Sequence, residues 1–237
     1  MLDALFGNVS ESEKNDAIEA IIQHASPRYD FFLMLALSLS MAIFGVLIGS
    51  TVILIGSMLI APLLYPVLSL ALGVIVSDEK LITRSLVTIG KSMALGLGAG
   101  LVIGFFFAGS VLSSGLPLVD VVASGSPSFM YVIVAAIAGF AAAFAVTKPH
   151  LSDTLPGVAI AVALVPPLAV AGIGLSLFNW TVMSNALLLF IVNAIGIMFS
   201  AMIVFALFRF SVKKTVAKEV VKEEEKLIKE ETQTVVQ

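Results

Sequence analysis

Two pairs of prolines fall inside long apolar stretches of this sequence, and they are its most informative candidates for a chemical site. Pro62 and Pro66 lie in one stretch, and Pro166 and Pro167 lie in another. Proline has no amide hydrogen and clashes with the carbonyl four residues earlier, so each pair should open the hydrogen-bond ladder of a helix. The carbonyls deprived of their helical partners would be those of Met58, Pro62, Val162 and Ala163.

Freed carbonyls and the ends of half-helices can bind a small solute. A carbonyl can coordinate a cation, and the free amides at the start of a half-helix attract an anion. Polar side chains beside the breaks could contribute to the same site. The substrate-binding candidates are Ser57, Met58, Pro62, Tyr65, Pro66, Val162, Ala163, Pro166, Pro167 and Asn193.

A purely structural role remains open for the same residues. Prolines are common in membrane helices, where they often produce only a kink and neighbouring serines repair the ladder. Asn193 stands alone in an apolar segment, and its amide could bond to a neighbouring helix instead of a ligand.

The composition of the chain is typical of an integral membrane protein. Of its 237 residues, 59% are hydrophobic and 12% are charged, whereas about 25% charged is usual in soluble domains. A bilayer is crossed by about 20 apolar residues. We therefore expect an all-α membrane protein with six spans, at 30–49, 51–76, 85–107, 129–148, 157–178 and 184–208.

The basic residues favour one orientation of these spans. All 13 lysines and arginines precede the first span, follow the sixth, or lie in or near the connections after the second and fourth. Because positive charge marks the cytoplasmic face, both termini are expected in the cytoplasm and the protein in the cytoplasmic (inner) membrane. A re-entrant hairpin at 51–76 would divide the basic residues between both faces, so a broken but fully spanning helix fits better.

The two halves of the membrane part carry their proline pairs in matching places. Pro62 is near the midpoint of 51–76, and Pro166 is near the midpoint of 157–178. Two three-span units in tandem must be inverted relative to each other. Inverted repeats with broken helices are a recurring plan of secondary transporters, so we expect two inverted three-helix repeats.

The predicted domains are a cytoplasmic amphipathic segment at 1–28, the membrane domain at 29–210 and a charged cytoplasmic helix at 211–237. Ser10 and Glu13 have the spacing of a capping box. We expect the helix after it to lie on the membrane or on another subunit through its apolar stripe of Ala17, Ile18, Ile21, Ile22 and Ala25. The tail is either a solvated helix or a coiled coil between subunits. Its apolar positions are Val216, Val220, Leu227 and Ile228, interrupted by Glu223 and Glu224.

Small residues mark two faces for close helix packing. Gly96, Gly100 and Gly104 repeat every four residues in the third span, and Ala135, Gly139 and Ala143 do so in the fourth. With the apolar N-terminal stripe and the charged tail, these faces predict a homo-oligomer, with a dimer favoured. The connection at 108–128 is rich in glycine, serine and proline and is expected to be an irregular outer loop.

Several classes of function are disfavoured by what the sequence lacks. No aspartate or glutamate lies in the interior of a predicted span, since Asp30 is at the very start of the first. Both histidines lie outside the spans, and there is no cysteine. No phosphate-binding loop or nucleophile motif is present. We therefore expect no enzymatic activity, no metal and no cofactor. The net charge of −3 gives no indication of nucleic acid as a partner.

The paired motifs Gly56-Ser-Met-Leu-Ile-Ala-Pro62 and Ala163-Leu-Val-Pro-Pro-Leu168 resemble those of a known family. Over about residues 30–210 the chain is similar to the prokaryotic membrane proteins called domain of unknown function 389, an uncharacterised hydrophobic domain. The resemblance implies a six-helix bacterial or archaeal inner-membrane protein. It brings no substrate and no catalytic residues.

Two functions follow from the sequence. The first is a transporter or channel for a small solute or ion, which would bind between the two broken helices near the bilayer midplane. The second is a membrane scaffold or regulatory protein without transport, which would act through helix packing and the cytoplasmic tail.

The orientation can be tested by cysteine labelling, because the chain has no cysteine of its own. Ser114→Cys or Ser124→Cys should react with a membrane-impermeant thiol reagent added outside the cell, since both lie in a predicted outer connection. Ser77→Cys or Ser152→Cys should stay unlabelled. External labelling at Ser77 would contradict the six-span arrangement.

Overall fold

The computed structural model describes residues 9–113, 129–148, 151 and 164–236, and all regular structure among them is helical. A 3₁₀ turn, Phe210–Lys213, precedes the last helix. The helices are α1 (Glu11–His24), α2 (Tyr29–Ile48), α3 (Thr51–Ile60), α4 (Leu64–Val76), α5 (Glu79–Ser113), α6 (Phe129–Thr147), α7 (Val165–Ser176), α8 (Trp180–Leu207) and α9 (Lys214–Val236).

Four of these helices, α2, α5, α6 and α8, are long and apolar enough to cross a membrane. The pair α3 and α4 adds a fifth candidate if it counts as one span, although the two helices are bent by 48°. The chain is therefore an all-helical protein with four or five candidate membrane spans. Of the predicted span 157–178, the structure describes only residues 164 onward, where the 12-residue helix α7 begins.

Helices α5 and α7 touch through their backbones along a shared face of small residues. Gly96 lies against Leu168, Gly100 against Gly172 and Gly104 against Ser176. A Cβ atom added to Gly100 would lie 2.5 Å from the Cα atom of Gly172, so only glycine fits there. The paired numbers rise together along both helices, which shows that α5 and α7 run parallel.

The small-residue face of α6 packs on α8 in the same manner. A Cβ atom added to Gly139 would lie 2.5 Å from the Cα atom of Ile197, and one added to Gly196 would lie 3.0 Å from the Cβ atom of Ala135. These helices also run parallel. Both predicted packing faces are thus occupied within one chain.

The N-terminal helix begins at the predicted capping box. The Glu13 amide donates to Ser10 Oγ at 3.2 Å, and the Ser10 amide donates to Glu13 Oε2 at 2.6 Å. The expectation that its apolar stripe lies on the membrane or on another subunit is wrong. The stripe is buried inside the same chain, where α1 packs on α4, α6 and α9.

The charged tail packs on its own chain through one narrow face, while most of its other described side chains are exposed, as the solvated alternative expects. The coiled coil between subunits stays a prediction. α9 contacts α1, and its buried residues are Ala217, Val221 and Glu224. This face is displaced by one residue from the predicted apolar positions. The Lys213 ammonium donates to Glu11 at 2.7 Å, and this bond, with a second from Lys14, lowers the pKa of the Glu11 carboxyl.

Helix α5 is longer than the predicted third span. It has 35 residues, about 52 Å at 1.5 Å per residue, against a hydrocarbon thickness of about 30 Å. Its helix continues through residues 108–113, which were expected to be loop, while residues 114–128 lie outside the described part of the chain. It also begins at Glu79, so Arg84 is already one full turn inside the helix.

Replacing Gly100 tests the contact between α5 and α7. Gly100→Leu should lower stability by about 3 kcal/mol or more, because overpacking forces backbone shifts and the obstacle here is backbone. The measurement is thermal unfolding in mild detergent. Gly98→Leu is the matched control, since Gly98 is exposed and nothing lies within 4 Å of its added Cβ. Equal unfolding temperatures for the two variants would contradict this packing.

Candidate functional site

The first proline pair breaks a helix as the sequence predicts. α3 ends at Ile60, Ala61 is extended with φ −72° and ψ 125°, and α4 begins at Leu64. Pro62 stands in the break and has no amide hydrogen to offer the Met58 carbonyl. Pro66 is the third residue of α4, where a missing amide costs nothing because the first amides of a helix have no partner inside it.

One serine repairs part of the opened ladder, and a second forms a local bond within α3. Ser38 Oγ on α2 donates to the carbonyl oxygen of Ser57 at 2.7 Å, and Ser57 Oγ donates to the carbonyl oxygen of Leu54 at 2.7 Å. Both serine side chains are fully buried. Ser57 therefore has a structural role in this state, as the alternative interpretation of the sequence expected.

The break and the start of α7 lie at nearby levels along α2. Ser57 is level with Ser38, which is at the middle of α2, and α3 ends three residues later. A Cβ atom added to Gly96 would lie 3.1 Å from Leu168 Cβ and 3.5 Å from Leu39 Cδ2. The first turn of α7 is consequently also level with the middle of α2, and α7 contacts α3.

Pro166 and Pro167 begin a helix in the described part of the chain. Leu164 is the N-cap of α7, and both prolines are buried in its first turn, where proline is well tolerated. By helix position, Pro167 matches Pro66, since each is the third residue of its helix. Val162 and Ala163 lie outside the described residues, so an interruption before Leu164 stays a prediction.

The other candidates are distributed along the same region. Met58 is partly buried near the end of α3, and the ring of Tyr65 stacks on His24 with centroids 4.6 Å apart. Asn193 is 4% exposed near the middle of α8, a helix that contacts α4 and α7. The structure thus brings Ser57, Met58, Pro62, Tyr65 and Pro66 together on one broken helix beside the start of α7.

An open cleft of about 310 Å³ reaches Pro62 from the end of α1. We call it the Pro62 cleft. Its polar wall comes from α1, the α1–α2 connection and the start of α2, and its apolar wall from α2 and the break. It is lined by Gln23, His24, Ser26, Arg28, Asp30, Phe31, Met34, Ile60 and Pro62.

A buried charged cluster adjoins this cleft, and the sequence reasoning missed it. Glu224 on α9 accepts a hydrogen bond from Ser26 Oγ at 2.5 Å. Its carboxylate lies 3.7 Å from Arg84 Nη2 and 3.8 Å from Arg28 Nη1. Arg84 also donates to Ser26 Oγ. The cluster therefore joins the connection between α1 and α2 to α5 and the tail.

The signal for this cluster was present in the sequence. Glu224 lies seven residues after Ala217 and three after Val221, so it continues the inward face of α9. A carboxylate on a buried face requires positive or hydrogen-bonding partners. As an interruption of an apolar pattern, Glu224 does not indicate which residues it pairs with. Arg28 and Arg84 served in the sequence analysis only to indicate the cytoplasmic face.

Two further clefts lie along the tail. The larger, about 430 Å³, is lined mainly by lysines of α9 and by the α4–α5 connection, and the other, about 410 Å³, reaches Arg84 beside Lys80 and Glu225. Within the described residues, no three histidine or acidic side chains are close enough together to hold a metal ion.

Comparisons with known proteins give a family and no activity. Over 212 residues the chain is 32% identical to an uncharacterized protein, MJ0678, of Methanocaldococcus jannaschii, which covers 86% of this chain. The chain spans 64% of the length of that relative. No solved structure is significantly similar. Residues 58–199, which include both proline pairs and Asn193, match the family described as "Domain of unknown function (DUF389)", and the chain belongs to this family.

Proposed function

We propose that this protein is a transporter or channel for a small solute or ion. The solute would pass the break between α3 and α4, opposite the first turn of α7. The observation that carries the proposal is the break at Pro62. Backbone at membrane depth that lacks helical partners is tolerated only where it is buried in protein or lines a wet cavity, and Pro62 lines an open cleft.

A six-span topology with inverted repeats is part of the proposal. When successive spans alternate in direction, the third and fifth run the same way, as do the fourth and sixth. The parallel pairs α5–α7 and α6–α8 support this order. α7 would then be the second half of the fifth span, as α4 is the second half of the second. The matching places of Pro66 and Pro167 support the same equivalence.

The proposed location is the cytoplasmic (inner) membrane with both termini in the cytoplasm. The support is the distribution of basic residues together with the packing of the two terminal segments on each other. α1 contacts α9, and Glu11 pairs with Lys213, so the first and last described helices lie on the same side of the helix bundle.

A scaffold or regulatory protein without transport is the second candidate. It is favoured by the tail, which packs on α1, pairs with Arg84 of α5 and carries the lysine-lined cleft. It is disfavoured by the packing faces, because both glycine faces are used within the chain and offer no surface to a partner.

A homodimer remains the proposed assembly, although the glycine faces and the N-terminal stripe no longer support it. The surfaces left for it are exposed apolar faces, such as that of α8 with Phe199 and Ile203. Native mass measurement in mild detergent should give twice the mass of the chain. A monomer over a wide range of protein concentration would contradict the dimer.

Replacing Pro62 tests whether the break is needed for transport. Proline costs about 3 kcal/mol in a helix interior, so Pro62→Ala should favour a straight helix by a free energy of that order. We expect solute flux or current in proteoliposomes to fall by at least about tenfold, while the variant stays folded and equally abundant. Pro66→Ala, Pro166→Ala and Pro167→Ala should each have a smaller effect than Pro62→Ala, because these three prolines lie in first turns.

The control is Pro117→Ala in the predicted outer loop, which should keep the flux of the parent protein. Pro62→Ala combined with Pro166→Ala removes both leading prolines at once. Full flux in that folded double variant would exclude the broken-helix mechanism. The scaffold would be favoured if the parent protein transported none of the solutes tested and captured a protein partner in a stoichiometric complex.

A further inference from the structure

We propose that Ser26, Arg28 and Arg84 form a binding site for a small oxyanion, such as a phosphate group. We call these three residues the arginine site. In the present structure the carboxylate of Glu224 occupies it. The inference rests on the proposed transport function in one respect only, that the transported solute would be an anion.

Glu224 is held as a bound anion would be. Its side chain is only 3% exposed, and a carboxylate so far from water is costly unless it is paired and hydrogen-bonded. The partners are one hydroxyl, from Ser26, and two guanidinium groups. Hydroxyl and guanidinium groups recognise phosphate oxygens by the same geometry as carboxylate oxygens.

The arginine site has more positive charge and more donors than Glu224 uses. Two guanidinium groups face the buried carboxylate of Glu224. Glu225 also acts on Arg84, but its side chain is 40% exposed, so solvent screens it. Arg84 Nη1 is buried and has no acceptor in the described part of the chain. Asp30 lies 3.9 Å from Arg28, but its side chain is 71% exposed, so solvent screens the pair. A tetrahedral anion with a charge near −2 would match this donor set better than one carboxylate does.

The arginine site can be reached from two directions. Ser26 and Arg28 line the Pro62 cleft, which leads to the helix break. Arg84 lines the cleft that it shares with Lys80 and Glu225. Because Glu224 contacts residues of both clefts, its carboxylate stands between them. An oxyanion entering from either cleft would compete with Glu224 and release the tail helix α9.

The chemistry allows two sources for the oxyanion. A soluble anion could arrive through either cleft, or the phosphate of an anionic lipid could reach the arginines from the membrane surface. The charge and the donors required are the same for both. The experiment below therefore begins with inorganic phosphate and then varies the lipid.

The decisive variant is Glu224→Gln in the full chain, in mild detergent. Gln keeps an acceptor for Ser26 but removes the competing charge. We expect inorganic phosphate, titrated at constant ionic strength by calorimetry, to bind at least about tenfold more tightly than to the parent protein. Phosphate should also raise the unfolding temperature of this variant more than that of the parent.

Glu223→Gln is the matched control, because it makes the same charge change one residue away on the exposed face of α9. It should bind phosphate as the parent does. The charge-balanced double variant Glu224→Gln, Arg84→Gln should lose the gain. Equal affinity of Glu224→Gln and Glu223→Gln, or a gain that survives in the double variant, would overturn the proposal.

A shorter carboxylate keeps the test available if Glu224→Gln does not fold. Glu224→Asp retains the charge but withdraws it from the arginines, so phosphate affinity should rise by about threefold. An affinity equal to that of the parent would count against the arginine site.

The lipid is tested with Glu224→Gln in nanodiscs. If anionic headgroups fill the site, phosphatidylglycerol should weaken phosphate binding relative to zwitterionic lipid. Equal binding in both discs would identify a soluble anion, and either result supports an oxyanion site. Phosphate binding with no solute flux would leave the site standing and reject the transport proposal. Solute flux without the predicted gain in phosphate binding would reject the arginine site and leave the transport proposal standing.

Discussion

The backbone contact between Gly100 and Gly172 is the constraint on which the arrangement of the helices depends. With no side chain on either residue, α5 and α7 approach to a distance that any Cβ atom would prevent. This contact fixes both the direction and the height of α7. As a result, the first turn of α7, with Pro166 and Pro167, stands beside α3 and level with the middle of α2. α7 has only 12 residues, and ten of them are buried, so close packing with its neighbours holds it.

At the break between α3 and α4, the backbone finds hydrogen-bond partners on the side facing α2 but is open to a cleft on the other side. On the side facing α2, Ser38 supplies the hydrogen that the Ser57 carbonyl lost when the helix stopped. On the other side, Pro62 faces a cleft with a polar wall. Repair on one side and an open cleft on the other distinguish this break from a simple kink, in which neighbouring groups restore the whole ladder. The break is thereby held in place by α2 while it remains accessible.

Much of the fold was predictable from local pattern. Apolar run length gave the positions of α2, α6 and α8, the capping box gave the start of α1, and Pro62 gave the interruption between α3 and α4. The sequence did not predict which helix faces pack against each other. The stripe of α1 and the glycine faces indicated burial correctly, but periodicity says nothing about whether the burying surface belongs to the same chain. The pairing of Glu224 with Arg28 and Arg84 failed for the same reason, because its members are far apart in sequence and each has an ordinary local explanation.

The distance of 198 positions between Ser26 and Glu224 has a consequence for biosynthesis. The ribosome makes Arg28 and Arg84 before most of the helix bundle exists, whereas Glu224 follows α8. While α2 and α5 are being made, neither arginine has its later partner Glu224. On the proposed orientation, they can then act as retention signals that keep their flanking segments from being translocated. Once the tail has been translated, Glu224 can pair with both arginines. The same two side chains that first influence topology then become buried counter-ions of Glu224 in the folded protein.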